Sequence, residues 1–333
     1  MKAIGGFFEL ELHHNGSLFH DHALAFNSGS SALEYYLLNT SFKLVLIPYY
    51  TCKSVKDSLD KIKLKYKFYK ISDDFFPIID FDSLEKNTLV IYNDYFGLNR
   101  QNIFRLQRKT KNILIDASQS FFYQSSDKIT YFNSVRKFFG VPDGGFLNSQ
   151  FSKQQLDQFE NLVKTDYLTQ HLIKRVESEP EDAYEYYLKN EELIAHNPIG
   201  KMSELTKSLL KNVDFESIKK SRIQNFEMIN NELGSNNKLK SFLPFISLNN
   251  KNDNPIPMCY PLLIENGHCI KNQLIKKKIF TPTFWPEIQS YFTIDCKFET
   301  ELVKNLICLP IDQRYNEIDM QRIIEILNQL LYE

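Results

Sequence analysis

The stretch Asn112-Ile113-Leu114-Ile115-Asp116-Ala117-Ser118-Gln119 is the strongest indication of the fold in this sequence. Residues 112–115 are typical of a buried strand because three of the four are apolar, and Asp116 follows that strand directly. Upstream of it, strand-like runs alternate with helical patterns. The strand-like runs are residues 43–48, 64–71 and 89–92, and the helical patterns are residues 51–59 and 103–109.

This alternation predicts an α/β fold, in which a mainly parallel sheet is flanked by helices on both faces. In such sheets, ligands bind beyond the carboxyl ends of the strands. Three polar features each follow a strand-like run, namely Ser28-Gly29, Asp116 and Lys137. We therefore expect these three features to face one crevice.

The length and charge of the chain limit its organisation and its partners. With 333 residues, the chain is long enough for a large core and two lobes. We expect an N-terminal segment over residues 1–24, a large domain over 25–235 and a small C-terminal α+β domain over 236–333. The net charge of −1 gives no electrostatic reason to expect nucleic acid or an anionic membrane as a partner.

The cysteines and histidines predict no metal site. The five cysteines form neither a CxxC pair nor a Cys/His ligand spacing, so we expect reduced thiols and no structural zinc. His13 and His14 lack a third ligand at a suitable spacing, which favours a polar turn. The start of the chain is unlike a signal peptide and no apolar run reaches spanning length, so we expect a cytoplasmic protein.

Small hydroxyl residues surround a glycine in Ser28-Gly29-Ser30-Ser31, just before a helical pattern. Serine is a good N-cap, and the exposed backbone N–H groups at the start of a helix bind anions. Capping alone is the simpler interpretation of this stretch in isolation. A phosphate cradle is the functional alternative, and the residues themselves leave both open.

A single lysine is held in Ser134-Val135-Arg136-Lys137-Phe138-Phe139-Gly140-Val141-Pro142-Asp143-Gly144-Gly145. It lies between the apolar run 129–132 and a turn that proline and glycine make rigid. A constrained lysine is a candidate for imine chemistry, which needs the neutral amine. Partial burial beside Arg136 would favour that neutral form. The alternative is an ordinary solvated lysine.

Together, these features suit pyridoxal 5′-phosphate (PLP), which needs an amine for the Schiff base, a carboxylate at the pyridinium nitrogen and a phosphate cradle. Their order resembles the DegT/StrS family of sugar aminotransferases, which have the fold-type-I PLP-dependent transferase fold. The matching stretches are Ser28-Gly29-Ser30-Ser31-Ala32-Leu33, Ile47-Pro48-Tyr49-Tyr50-Thr51, Ile115-Asp116-Ala117-Ser118-Gln119, Lys137 with Asp143-Gly144-Gly145, Tyr260-Pro261, Thr281-Pro282-Thr283-Phe284-Trp285-Pro286 and Cys308-Leu309-Pro310-Ile311.

The resemblance implies a role for each residue of the site. Lys137 would hold the cofactor and carry a proton between its C4′ atom and the substrate carbon. Asp116 would pair with the ring nitrogen, and Gln119 would contact the ring hydroxyl. The phosphate would be held by Gly29, Ser30 and Ser134, with Ser31 as a neighbour.

The chain departs from the family pattern at two places that affect the site. Cys52 stands where the family often has an aromatic ring that stacks on the cofactor, and Tyr50 or Tyr95 would have to replace that ring. The segment Ile199-Gly200-Lys201-Met202-Ser203 stands where the family has an NxRM segment that reaches the phosphate of a partner subunit. The asparagine is missing in register, although Asn197 lies close.

The resemblance therefore predicts an aminotransferase that converts a nucleotide-linked keto sugar to an amino sugar. Glutamate would be the amino donor, the product would serve cell-surface polysaccharide biosynthesis, and the enzyme would be a homodimer. One alternative is another fold-type-I enzyme, such as a lyase, with Arg136 or Arg314 binding an amino-acid carboxylate. Another is a catalytically altered PLP-binding protein, which Cys52 and the altered segment 199–203 would explain. A last alternative is an α/β protein in which Asp116 and Lys137 are unrelated.

Overall fold

The computed structural model describes residue 8 and residues 10–12, 16–125, 129–151, 156, 165–248, 254–293 and 295–332. The adjacent histidines His13 and His14, and most of the predicted N-terminal segment 1–24 before residue 16, lie outside these residues. No helix in the described ranges combines the length and hydrophobicity that a bilayer crossing requires. The same ranges hold no group of three or more His, Cys, Asp or Glu side chains placed to bind a metal ion.

The large lobe is built on an eight-stranded sheet in the order β1-β8-β7-β6-β5-β2-β3-β4. The strands from β3 through β2, β5 and β6 to β7 are parallel, whereas β1, β4 and β8 pair antiparallel with their neighbours. These strands are β1 Leu24–Phe26, β2 Leu44–Pro48, β3 Lys65–Ile71, β4 Pro77–Ile78, β5 Thr88–Asn93, β6 Ile113–Asp116, β7 Thr130–Phe132 and β8 Gly145–Asn148. The predicted α/β fold with a mainly parallel sheet is thus confirmed.

Helices flank both faces of this sheet and form most of the second half of the chain. In the described residues they are α1 Gly29–Leu38, α2 Lys53–Lys61, α3 Arg100–Gln107, α4 Thr165–Glu177, α5 Pro180–His196, α6 Glu204–Leu210, α7 Phe215–Leu233, α8 Gly267–Lys276, α9 Lys297–Asn305 and α10 Glu317–Tyr332. The helices predicted at 51–59 and 103–109 correspond to α2 and α3, with ends displaced by a few residues.

The central strands are apolar on both faces because each face packs on a different hydrophobic cluster. Successive residues of a strand point to opposite faces. On β2, Val45 joins the cluster that contains α1 and α2, and Leu46 joins the larger cluster on the other face. Leu89 and Val90 of β5 divide in the same way. This burial on both faces is why these strands have continuous apolar sequences.

The small lobe contains a two-stranded antiparallel sheet, β9 Tyr260–Leu263 and β10 Leu306–Leu309. Helices α8, α9 and α10 pack around it, and the long helix α7 connects it to the rest of the chain. The larger hydrophobic cluster continues from the central sheet into this lobe. The domain limits at residues 24 and 235 stay predictions.

Candidate active site

The candidate site begins where three parallel strands end side by side. In the strand register, Asp116 is opposite Asn93 at the end of β5 and Phe132 at the end of β7. The chain continues from β7 into residues 134–141, here called the lysine loop, in which Val135–Lys137 form a 3-10 turn. Asp116 and the lysine loop therefore leave the sheet at the same edge, as the sequence predicts.

Asp116 is 7% exposed, and its Oδ1 atom accepts a hydrogen bond of 2.9 Å from the Ser118 N–H. The N–H of Asp94 donates to the Asp116 carbonyl oxygen over 3.0 Å, which places a second carboxyl beside the first. Burial is the main cause that raises the pKa of Asp94 to about 6, and the negative charge of Asp116 adds to it. Asp94 was missed from the sequence, although the end of strand β5 was a signal for it.

Gln119 is buried, and only the oxygen of its side-chain amide is hydrogen-bonded within the described residues. Its Oε1 atom accepts a hydrogen bond of 2.9 Å from the Phe96 N–H. Its Nε2 atom is buried and has no hydrogen-bond partner among the described residues. A buried amide donor without a partner is costly, so this nitrogen suits a ligand oxygen beside Asp116.

The first turn of α1 is capped by a serine side chain and also carries backbone N–H groups that are not bonded within the helix. The Ser28 hydroxyl oxygen accepts from the Ser31 N–H over 3.0 Å, and it also donates to the Ser31 hydroxyl. Ser31 is therefore a capping neighbour whose own groups are occupied. The N–H groups of Gly29 and Ser30 have no partner within the helix, because the first turn provides none. N–H groups at the start of a helix can bind an anion.

Gly29 brings this helix start against the lysine loop. A Cβ atom at Gly29 would lie 2.9 Å from the Asn133 carbonyl oxygen and 3.5 Å from the Cβ of Ser134. The two backbones approach so closely that only glycine fits between them. The predicted phosphate ligands Gly29, Ser30 and Ser134 are thus neighbours in the structure.

Lys137 differs from the prediction, because its side chain is exposed rather than partly buried. Val135 and Phe138 enter the hydrophobic core, whereas Lys137, directly before Phe138, is turned toward the surface. Arg136 does not face the amine either, because its guanidinium forms an ion pair with Glu191 of α5. The expected burial of Lys137 is therefore wrong for the single chain.

The turn that follows the lysine loop is tightly fixed, as its proline and glycines predict. Gly144 has φ +122°, a backbone conformation that side chains rarely adopt, and its N–H donates to the Asn27 carbonyl oxygen over 2.9 Å. The Asp143 carboxylate accepts from the Ser203 N–H at 2.9 Å, the Ser203 hydroxyl at 2.7 Å and the Thr206 hydroxyl. Burial raises the pKa of Asp143, and these hydrogen bonds oppose that rise.

Cys52 lies half-buried at the N-cap of α2, where its sulfur accepts from the Ser54 hydroxyl at 3.0 Å. Neither tyrosine proposed as a substitute ring has an open face. Tyr50 and Tyr95 are both fully buried, stack on each other with centroids 5.8 Å apart, and contact Trp285. That substitution is therefore wrong, since the main core encloses both rings.

The segment 199–203, where the family has its NxRM motif, runs beside the start of α1 in the same chain. The Asn27 N–H donates to the Gly200 carbonyl oxygen over 2.9 Å, and the Met202 N–H donates to the Ala25 carbonyl oxygen over 3.1 Å. Asn197 is the C-cap of α5. The segment therefore supports the same helix start that carries Gly29 and Ser30.

No protein-family model and no curated protein matches this sequence. Solved structures, in contrast, match nearly the whole chain. A DegT/DnrJ/EryC1/StrS aminotransferase from Brucella abortus has a TM-score of 0.63 at 15% identity, over 92% of this chain and 85% of the other. NtdA from Bacillus subtilis, with the bound cofactor PMP, has a TM-score of 0.63 at 14% identity, over 93% and 73%. The sugar aminotransferase CalS13 from Micromonospora echinospora has a TM-score of 0.58 at 11% identity, over 93% and 87%. At these identities, the likeness shows a common fold.

Proposed function

We propose that this chain is a PLP-dependent aminotransferase that acts on a sugar and is related to the DegT/StrS enzymes. The observation that carries the proposal is the half-used amide of Gln119 beside the buried Asp116, on the same sheet edge as the lysine loop. Two aminotransferases with the same fold, one of them a sugar aminotransferase, and NtdA with its bound PMP add to its support.

The residues present fit this cofactor, which when bound supplies an electron sink for proton removal at the substrate carbon. Asp116 would hold the ring nitrogen, and the Nε2 atom of Gln119 would donate to the ring hydroxyl. The N–H groups of Gly29 and Ser30, with the Ser134 hydroxyl, would bind the phosphate. Lys137 would bind the cofactor through its amine and move the proton.

The exposure of Lys137 supports a homodimer as part of the proposal. A lysine that exchanges protons with a substrate is best shielded from water, and the single chain leaves this side chain open. A second copy would cover the open side. We propose further that the amino acceptor is a nucleotide-linked keto sugar and that the amino donor is glutamate. The enzyme would act in the cytoplasm, and its product would serve the biosynthesis of a cell-surface polysaccharide.

The lyase alternative has less support, because each arginine that it needs is already paired. Arg136 pairs with Glu191, and Arg314 donates to both oxygens of Asp312 over 2.7 and 2.8 Å. The alternative of an altered PLP-binding protein keeps one specific observation in its favour. Cys52 offers less contact area to a cofactor ring than an aromatic side chain would.

The test is an absorbance spectrum of the purified protein with added PLP, before and after borohydride reduction, and mass spectrometry of the lysine-loop peptide. A visible band that reduction removes, with the pyridoxyl mass on Lys137, is the expected result. Lys137→Ala should lose both the band and turnover, whereas the exposed small-lobe variant Lys240→Ala should keep them. A protein that takes up no PLP would overturn the proposal.

The amino donor then separates the reactions. Glutamate should convert the bound cofactor to PMP, and a keto sugar should restore the original spectrum. Cleavage of an amino acid without a keto acceptor would indicate the lyase. Stable PLP binding without either half-reaction would indicate the altered binding protein.

A further inference from the structure

A side chain of the small lobe is hydrogen-bonded to the lysine loop. Gln313 lies beyond the end of β10, and its Nε2 atom donates a hydrogen bond of 2.8 Å to the carbonyl oxygen of Phe138. Phe138 is the residue directly after Lys137. The peptide that carries the lysine is therefore held by a residue far away in sequence.

Arg222 of α7 orients Gln313. Its Nε atom donates to the Gln313 Oε1 atom over 3.1 Å, and its guanidinium lies 4.6 Å from the centre of the Phe138 ring. Arg222 is only 1% exposed. Asp312 acts on it only through space, because that carboxylate is hydrogen-bonded to Arg314. A buried cation whose bonds go to neutral oxygens is expensive to keep, which indicates a role for its geometry.

The other end of Arg222 leads to the candidate cofactor site. Its Nη1 atom donates to the carbonyl oxygens of Pro257 and Met258, both at 3.0 Å. The Met258 N–H donates to the Phe96 carbonyl oxygen over 2.8 Å, and the Phe96 N–H donates to Gln119 over 2.9 Å. A continuous series of hydrogen bonds thus runs from Gln119 through Arg222 and Gln313 to the lysine loop.

We propose that Arg222 and Gln313 are positioning residues, which set the distance between the lysine loop and Gln119 from the small-lobe side. Gln119 follows β6 and Lys137 follows β7, so the two residues leave the sheet from different strands. Aromatic packing of Phe121 on Phe138 and Phe139 joins the two segments on one side, and the hydrogen-bonded series joins them on the other. The part of the inference that concerns PLP rests on the proposed function, whereas the ordering of the loop does not.

The ordering is tested in the protein without cofactor, by hydrogen exchange and mass spectrometry of the lysine loop. The Phe138 and Phe139 N–H groups both donate to the Val135 carbonyl oxygen, over 3.0 and 3.1 Å, so their exchange reports on the 3-10 turn. Gln313→Glu keeps an acceptor for Arg222 but loses the donor to Phe138. We expect these amides to exchange about tenfold faster in this variant, as loss of one hydrogen bond implies.

The matched control is Arg322→Met. Arg322 is an exposed arginine of α10 that also donates to a main-chain oxygen, that of Lys277, over 2.7 Å. This variant should leave exchange in the lysine loop unchanged. Equal exchange in Gln313→Glu and the wild type would overturn the inference.

Positioning is tested in the PLP-loaded protein by the pH titration of its visible absorbance band. Gln313→Glu and Arg222→Met should both shift the pH midpoint of that titration. Arg222→Lys should bring the midpoint only part of the way back to the wild-type value, because one ammonium group cannot reach both Gln313 and the two carbonyl oxygens.

If Arg222→Met does not fold, Gln313→Glu decides the result. Faster exchange with an unchanged midpoint would refute positioning. A wild type that binds no PLP would refute the proposed function, while hydrogen exchange would still decide the ordering.

Discussion

Gly145 lies directly against Gly29, since a Cβ atom added to Gly145 would stand 2.5 Å from the Gly29 nitrogen. Gly145 opens β8 and Gly29 opens α1, so the first residue of a strand contacts the first residue of a helix. This close approach holds the proposed phosphate donors at the sheet edge. Close packing therefore requires glycine at position 145, whatever its backbone dihedral angles.

Gly145→Ala should destabilise the fold and weaken PLP binding. The new methyl group has backbone atoms on its far side, so β8 or α1 must move, at a cost of about 1–3 kcal/mol in the free energy of unfolding. Gly140→Ala is the control, because its Cβ atom would meet only the Leu172 Cδ2 atom at 3.7 Å, an ordinary contact. Urea unfolding and PLP titration of both variants measure the difference. Equal stability of the two variants would contradict the close approach.

Gln119→Glu should weaken PLP binding, and it should also destabilise the protein without cofactor, because it places a carboxylate at a buried position beside Asp116. The carboxylate keeps an acceptor for the Phe96 N–H and loses the donor that the structure leaves unused. We expect an approximately tenfold higher Kd for PLP, as loss of one hydrogen bond to a buried group implies. Gln273→Glu, at an exposed site on α8, should bind PLP like the wild type. An unchanged Kd in Gln119→Glu would remove Gln119 from the site.

His20 should make the protein less stable as the pH falls below 6.5. Its ring is fully buried, with Nε2 2.6 Å from the Phe121 carbonyl oxygen, and burial lowers its pKa from 6.5 to about 4. Between these values the unfolded chain binds a proton that the native state does not, so stability is present above pH 6.5 and is lost toward pH 4. Relative to His20→Gln, the wild type should lose about 2 kcal/mol between pH 7.5 and 5. Urea unfolding at both pH values measures this, and parallel changes in the two proteins would refute it.

Asp94 should have the opposite effect over the same range. Burial raises the pKa of Asp94 from 3.8 to about 6, so the native carboxyl keeps its proton where the unfolded one has released it. This contribution to stability is present below pH 3.8 and is lost as the pH rises through 6. Relative to Asp94→Asn, which keeps an acceptor for the Asn99 N–H, the wild type should gain about 1 kcal/mol on going from pH 7.5 to 5. If the wild type and Asp94→Asn respond alike to pH, the carboxyl is charged in the native state.

Much of the site could be predicted because it depends on local rules. The pattern of hydrophobic residues predicted the buried strands. The ends of those strands placed Asp116 and the lysine loop at one edge of the sheet. Glycine and proline identified the rigid turn, and Ser28 identified the start of α1. Each of these signals lies within a short window of sequence, where backbone sterics and burial act directly.

Other features depend on segments that are distant in sequence. Lys137 is exposed because Val135 and Phe138 find a core, and Tyr50 and Tyr95 are enclosed because Trp285 of the small lobe packs on them. No pattern in the sequence marks Gln313 as the partner of Phe138.

The α/β class, the order of the strands and helices along the chain, and the residue types at the candidate site thus follow from the amino-acid sequence. The folded chain was needed to show which side chains are buried, which donors stay unused and which distant residues hold the lysine loop. This is because hydrophobic periodicity and turn chemistry act between near neighbours in sequence, whereas burial and side-chain hydrogen bonds arise where the fold brings remote segments together.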